Sequence, residues 1–121
     1  MAKFVTLLVE DDDVQRAVLV DLLKNEGFEV IECSTAEAAE LVVATSGAEM
    51  RAVVFDQRLD GAMLGSELAA FAREMFPRLN IIVISGYEAP CLPVNAKFLR
   101  KPFPPSMLLE AVRGAPPGSA T

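Results

Sequence analysis

Five short apolar clusters recur along the chain, at residues 3–9, 28–32, 52–55, 80–84 and 97–99, with helix-period segments between most of them. Runs of this length rich in Val, Ile and Phe read as strands, and residues 81–84 lack the polar alternation of a strand that faces water on one side. A strand apolar on both faces is covered on both faces, which is the habit of parallel sheets. Parallel strands in turn need crossovers, and helices usually supply them.

The segments between the clusters fit that role. After the acidic run, Val14, Val18 and Leu22 recur every four residues with Ala17 and Leu23 on the same stripe, and Gly27 supplies a stop; this predicts an amphipathic first helix with those residues inward. Ser34 followed by Glu37 fits a capping box, and Ala38, Leu41, Val42 and Thr45 give a second helix its inward face. Residues 65–76 predict a third helix with Leu68, Ala69, Ala72 and Met75 inward, closed by Pro77. Pro104 and Pro105 suit the first turn of a last helix with Met107, Leu108, Ala111 and Val112 inward and Gly114 ending it. Together these predict an α/β fold, a doubly wound five-stranded parallel sheet in the flavodoxin-like order 2-1-3-4-5. Residues 1–114 make one domain, and 115–121, rich in Pro, Gly and small residues, a frayed tail.

In such sheets the ligand crevice lies at the carboxyl ends of the strands. Glu10, Asp11, Asp12 and Asp13 directly follow the first strand and Asp56 directly follows the third. If those strands are neighbours, three or more carboxylates converge. The repulsion is costly, and a hard divalent cation with oxygen ligands is the usual remedy, with magnesium the natural candidate. Asp56 is then both ligand and phosphoryl-accepting nucleophile. Ser85, at the end of the fourth strand, offers a hydroxyl, and Lys101, at the end of the fifth, a point charge for the phosphoryl oxygens. Each residue taken singly has a plainer reading: an acidic run at a helix start complements the macrodipole, with Asp12 or Asp13 as the cap, and a lone Asp or Ser after a strand belongs to a turn. The argument for a site is that four such features fall in order at four strand ends.

Composition removes several alternatives. With no histidine, no Ser-His or Cys-His nucleophile system exists and the chain cannot itself be a phosphohistidine donor. A formal net charge of −6 argues against direct nucleic-acid binding. No run approaches the roughly 18 to 20 apolar residues that span a bilayer, and the first nine residues read as a strand rather than a secretory leader. Cys33 and Cys91 form no C-x-x-C pair and are expected to be buried thiols in a reducing cytoplasm.

The strings LLVEDDD, VVFDQRL, IIVISGY and FLRKPF, in this order, resemble the receiver domain of two-component response regulators over essentially the whole chain. The resemblance implies that Glu10 and Asp11 are the family's acidic pair and Asp56 its phosphoacceptor. It implies that Ser85 is the switch hydroxyl, Phe98 the switch aromatic, and Lys101 the lysine before Pro102, with the Lys101-Pro102 bond cis. It also implies that Arg58 contributes a main-chain carbonyl to Mg2+. The partner it implies is a histidine kinase or histidine phosphotransfer protein, and the role is a cytoplasmic signalling switch rather than an enzyme.

Three departures accompany the resemblance. Asp60 stands where the family commonly has proline, and one extra residue precedes Gly65. Only residues 86–96, interrupted by Pro90 and Pro93, separate the last two strands, barely the minimum of roughly 10 to 12 for a crossover, so a fourth helix there is expected to be short, irregular or absent. The Ser85-Gly86-Tyr87 triplet is similar to a subgroup in which this segment orders on activation. Two other functions fit parts of the chain. Asp11, Asp13 and Val14 spell the D-x-D-x-[TV] motif of haloacid-dehalogenase-type phosphohydrolases, and a receiver fold can serve as a phosphate-independent interaction module.

Overall fold

The computed structural model describes residues 5–59, 63–87 and 89–114. Its elements are β1 (Val5–Val9), α1 (Asp13–Asn25), β2 (Glu29–Cys33), α2 (Ala36–Ser46), a 3-10 turn (Gly47–Glu49), β3 (Ala52–Asp56), α3 (Gly65–Met75), β4 (Asn80–Ser85), β5 (Lys97–Arg100) and α4 (Pro105–Arg113). The strands form one sheet in the order β2-β1-β3-β4-β5, with every neighbouring pair parallel. This is the predicted flavodoxin-like architecture. Strands β3 and β4 are buried at every residue, as their unbroken apolar runs require. The sheet separates two apolar cores. One holds Leu7, Val9, Val53, Phe55, Ile81 and Val83 against α2 and α3, and the other Leu8, Val54, Ile82 and Ile84 against α1 and α4.

Helix ends follow local chemistry. Asp12 caps α1 by accepting from the Gln15 N–H at 2.8 Å. The helix ends in a Schellman motif: Gly27, at φ +91°, donates to the Lys24 carbonyl, and the Phe28 N–H reaches the Leu23 carbonyl at 3.1 Å. The cap of α2 is Thr35, which accepts from the Ala38 N–H at 3.2 Å, and not Ser34 as expected. Pro105 occupies the first turn of α4.

The inward stripes differ from the sequence reading. In α1, Leu23 is buried as expected, but Val14 and Val18 are 74% and 61% exposed, and Val20 is buried in their place. In α2 the buried face is Ala36, Ala39 and Val43, with Leu41 exposed. Met75 and Met107 are likewise exposed, and Leu109 joins Leu108 and Val112 inward. In α3 and α4 the expected Leu68, Ala69, Ala72, Leu108 and Val112 are buried; in α1 and α2 the tertiary fold selects the apolar stripe whose residues meet the sheet.

Among the described residues no helix lies between β4 and β5, so of the three outcomes expected for the fourth helix, absence is the one found. What holds the crossover in place is Arg73, buried on α3. Its guanidinium donates to five main-chain carbonyls: Val94 at 2.9 Å, Asn95 at 3.2 Å, Phe76 at 3.3 Å, Pro77 at 2.9 Å and Leu79 at 2.8 Å. Cys91 lies on this crossover and is exposed, in contrast to buried Cys33 and to the expectation that both are buried. The expected start of the first strand at Lys3, the Asp60 departure and the expected tail 115–121 lie outside the described residues.

Candidate functional site

Because β1, β3 and β4 are adjacent and parallel, their carboxyl ends open into one pocket of about 510 Å³. Glu10 and Asp11 follow β1, Asp56 ends β3 and Ser85 ends β4, while Lys101 follows β5. One carboxylate oxygen from each of Glu10, Asp11 and Asp56 lies within 4.8 Å of the others. Glu10 is 1% exposed, Asp56 5% and Ser85 2%, so the floor of the pocket is buried and carries two carboxylates.

Lys101 ties the floor together. Its Nζ lies 3.0 Å from Asp56 Oδ2, 3.3 Å from Glu10 Oε1 and 2.8 Å from Gln15 Oε1. Burial works against the ammonium charge, but the hydrogen bond to Asp56 and the charges of Asp56 and Glu10 outweigh it and raise the pKa. One ammonium does not satisfy two carboxylates. Glu10 is pushed from 4.5 up to about 7, first by burial and then by its hydrogen bond and charge repulsion with Asp56, with the Asp12 N–H and then Lys101 opposing only in part. A second cation would relieve this imbalance. The three carboxylates are the hard oxygen donors that a magnesium ion takes, so the residues present fit the metal that the sequence implied.

Main-chain and side-chain donors complete the frame. Asp56 Oδ1 accepts from the Arg58 N–H at 3.3 Å, and Glu10 Oε2 from the Asp12 N–H at 3.2 Å. Arg16 donates to the Glu10 carbonyl at 2.9 Å while pairing with Asp13 and Glu32, which pins the loop after β1. Gly65 packs so closely under Asp56 that a Cβ there would collide with the Asp56 carbonyl oxygen. Ser85 Oγ accepts from the Tyr87 N–H at 3.1 Å.

Glu10, Asp11, Asp56, Arg58, Ser85 and Lys101 thus share one pocket. Pro102 and Phe98 do not line it. The Lys101-Pro102 bond is cis, and Pro102 borders a neighbouring apolar groove with Val14, Val18, Leu19, Leu22 and Phe103. Phe98 is half-buried on β5, in register with Val83 and outside both cores. Sequence reasoning missed Gln15, Arg16 and the place of Tyr87 at the pocket. An arginine after an acidic run looks like solvated charge, and the signal that could have singled out Arg16 is its spacing one helical turn from the cap.

A family model described as the response regulator receiver domain matches residues 6–113. Response regulator protein FleR of Pseudomonas aeruginosa is 34% identical over 93% of this chain, and hydrogenase transcriptional regulatory protein HoxA of Cupriavidus necator is 31% identical over 93%. The chain spans only 25% and 24% of those two proteins. A solved response regulator receiver protein from Sinorhizobium medicae superposes with a TM-score of 0.82 at 30% identity, covering 91% of each chain.

Proposed function

The chain belongs to the response regulator receiver domain family of two-component signalling, and from that premise we propose that it accepts a phosphoryl group on Asp56 from a phosphohistidine of a kinase or phosphotransfer protein. The observation that carries the reading is the Lys101 ammonium held 3.0 Å from Asp56 and 3.3 Å from Glu10, residues distant in sequence that the fold brings to one buried point. In the transfer an Asp56 carboxylate oxygen bonds to phosphorus while the nitrogen–phosphorus bond of the donor breaks, its electron pair returning to the imidazole. Lys101 and the Ser85 hydroxyl stabilise charge on the phosphoryl oxygens, and the Arg58 N–H fixes the Asp56 rotamer. Magnesium, held by Glu10, Asp11, Asp56 and the Arg58 carbonyl, would supply further positive charge at those oxygens.

The geometry also suits a switch. Among the described residues Ser85 Oγ accepts from the Tyr87 N–H and donates to no group, which suits its proton to a phosphoryl oxygen. Drawing the hydroxyl inward opens space toward β5, where half-buried Phe98 is the aromatic that turns. The donor reaches the site beside the apolar groove: exposed Val14 and Val18 flank it, and Gln15 and Lys101 line both groove and pocket. Apolar surface that adjoins a reacting group suits a protein donor rather than a small molecule.

Intact-mass analysis after treatment with acetyl phosphate and magnesium tests the proposal. Wild type gains one phosphoryl group and Asp56→Asn gains none. An Asp56→Asn protein that is labelled as well as wild type contradicts the reading, and label on Asp11 supports the phosphohydrolase alternative.

A further inference from the structure

A lysine ammonium has three N–H bonds to give, and for Lys101 each finds an acceptor: Gln15 Oε1 at 2.8 Å, Asp56 Oδ2 at 3.0 Å and Glu10 Oε1 at 3.3 Å. The shortest contact is to the neutral partner. Because an ammonium only donates, the amide presents its oxygen to it, which fixes the orientation of the Gln15 side chain. Gln15 stands in the first turn of α1, with its N–H tied to the Asp12 cap at 2.8 Å. Side chains there lean back toward the helix start, which here is the pocket. Gln15 is exposed and Lys101 only partly buried, so burial alone does not hold the ammonium over the floor.

The three partners fare differently in the transfer. Asp56 gives up its carboxylate charge as one of its oxygens bonds to phosphorus and the donor leaves with the electron pair of its own bond to phosphorus. Glu10 is one of the three carboxylates that would hold magnesium. Gln15 takes part in neither event. We propose that Gln15 is a positioning residue whose amide oxygen anchors the Lys101 ammonium beside Asp56 while the two carboxylates change partners, so that the lysine meets the phosphoryl oxygens already oriented. The inference rests on the phosphoacceptor reading and deepens it. A neutral acceptor suits the task, since it holds the ammonium without adding to the charge of Glu10, Asp11, Asp12 and Asp56, which line the same pocket.

Two measurements test the anchor. Initial rates of Asp56 labelling by acetyl phosphate and magnesium are followed by intact mass for wild type, Gln15→Met, Lys101→Met and the double variant. Gln15→Met keeps the side-chain length and removes the acceptor, and its rate should fall about fivefold, the order that one exposed hydrogen bond to a charged group supports. In the Lys101→Met background the same substitution should have no further effect, because an anchor acts only through what it holds. The second measurement uses metal-free protein and trace acetylation by acetic anhydride, read by peptide mass against Lys24 and Lys97. Lys101 should be acetylated faster in Gln15→Met than in wild type, and no faster in Gln15→Glu, which keeps an acceptor at the same reach. A Gln15→Met rate equal to wild type, a loss that persists in the Lys101→Met background, or Lys101 acetylation that is unchanged in Gln15→Met or rises equally in Gln15→Glu overturns the anchor and leaves the phosphoacceptor reading standing. A wild type that takes no label on Asp56 overturns both.

Discussion

Glu10 is a carboxyl buried beside a second carboxyl, and that placement gives it a pKa of about 7 in place of 4.5. The folded state then holds this proton more tightly than the unfolded chain does. Its contribution to stability is greatest below about pH 4.5 and falls as pH rises toward 7, where the charge must be carried in the pocket. Without divalent metal, denaturant titration at pH 5 and at pH 7.5 should show Glu10→Gln gaining on wild type at the higher pH, by on the order of 2 kcal/mol. Equal differences at both pH values contradict the assignment. Lys101 opposes the same charge. Lys101→Met leaves the two carboxylates without their ammonium and removes a donor from the phosphoryl oxygens, so acetyl phosphate labelling of Asp56 should slow on the order of 100-fold. An unchanged rate would show that this ammonium takes no part in the transfer.

At the scale of elements, the crossover from β4 to β5 has no helix among the described residues and is secured by Arg73. Arg73→Met removes the hydrogen bonds to five carbonyls, and unfolding should show a loss of about 2–4 kcal/mol, with amide exchange rising first in the 89–96 crossover. A loss under about 0.5 kcal/mol would mean that other contacts hold the segment. Gly65 is the corresponding constraint at the start of α3. Gly65→Ala forces the Asp56 carbonyl away and should cost about 1–3 kcal/mol together with slower labelling. The strands and their order were legible in the sequence because buried parallel strands leave unbroken apolar runs, and the site was legible because its residues stand at strand ends. The inward faces of α1 and α2 were not. Val14 and Val18 repeat like core residues, yet which stripe faces the sheet depends on the approach of the whole helix. Arg73 was equally silent, since its partners are main-chain carbonyls that carry no side-chain signature.

For the whole molecule, the fold concentrates repulsive charge at one end of the sheet and leaves an apolar groove beside it. That combination is unfavourable in isolation, and on the proposed reading a cation and a phosphoryl group offset it. Magnesium should therefore stabilise the domain, and more at pH 7.5 than at pH 5, because protons compete for Glu10; thermal unfolding with and without magnesium at the two pH values measures this. A shift in midpoint independent of pH would separate metal binding from Glu10. The most direct test of the central claim is to label the protein with acetyl phosphate and magnesium, reduce the aspartyl phosphate with borohydride and map the modified residue by peptide mass spectrometry. The account predicts modification at Asp56 alone and none when Asp56 is asparagine; modification at Asp11, or a fully folded protein that takes no label, would contradict it.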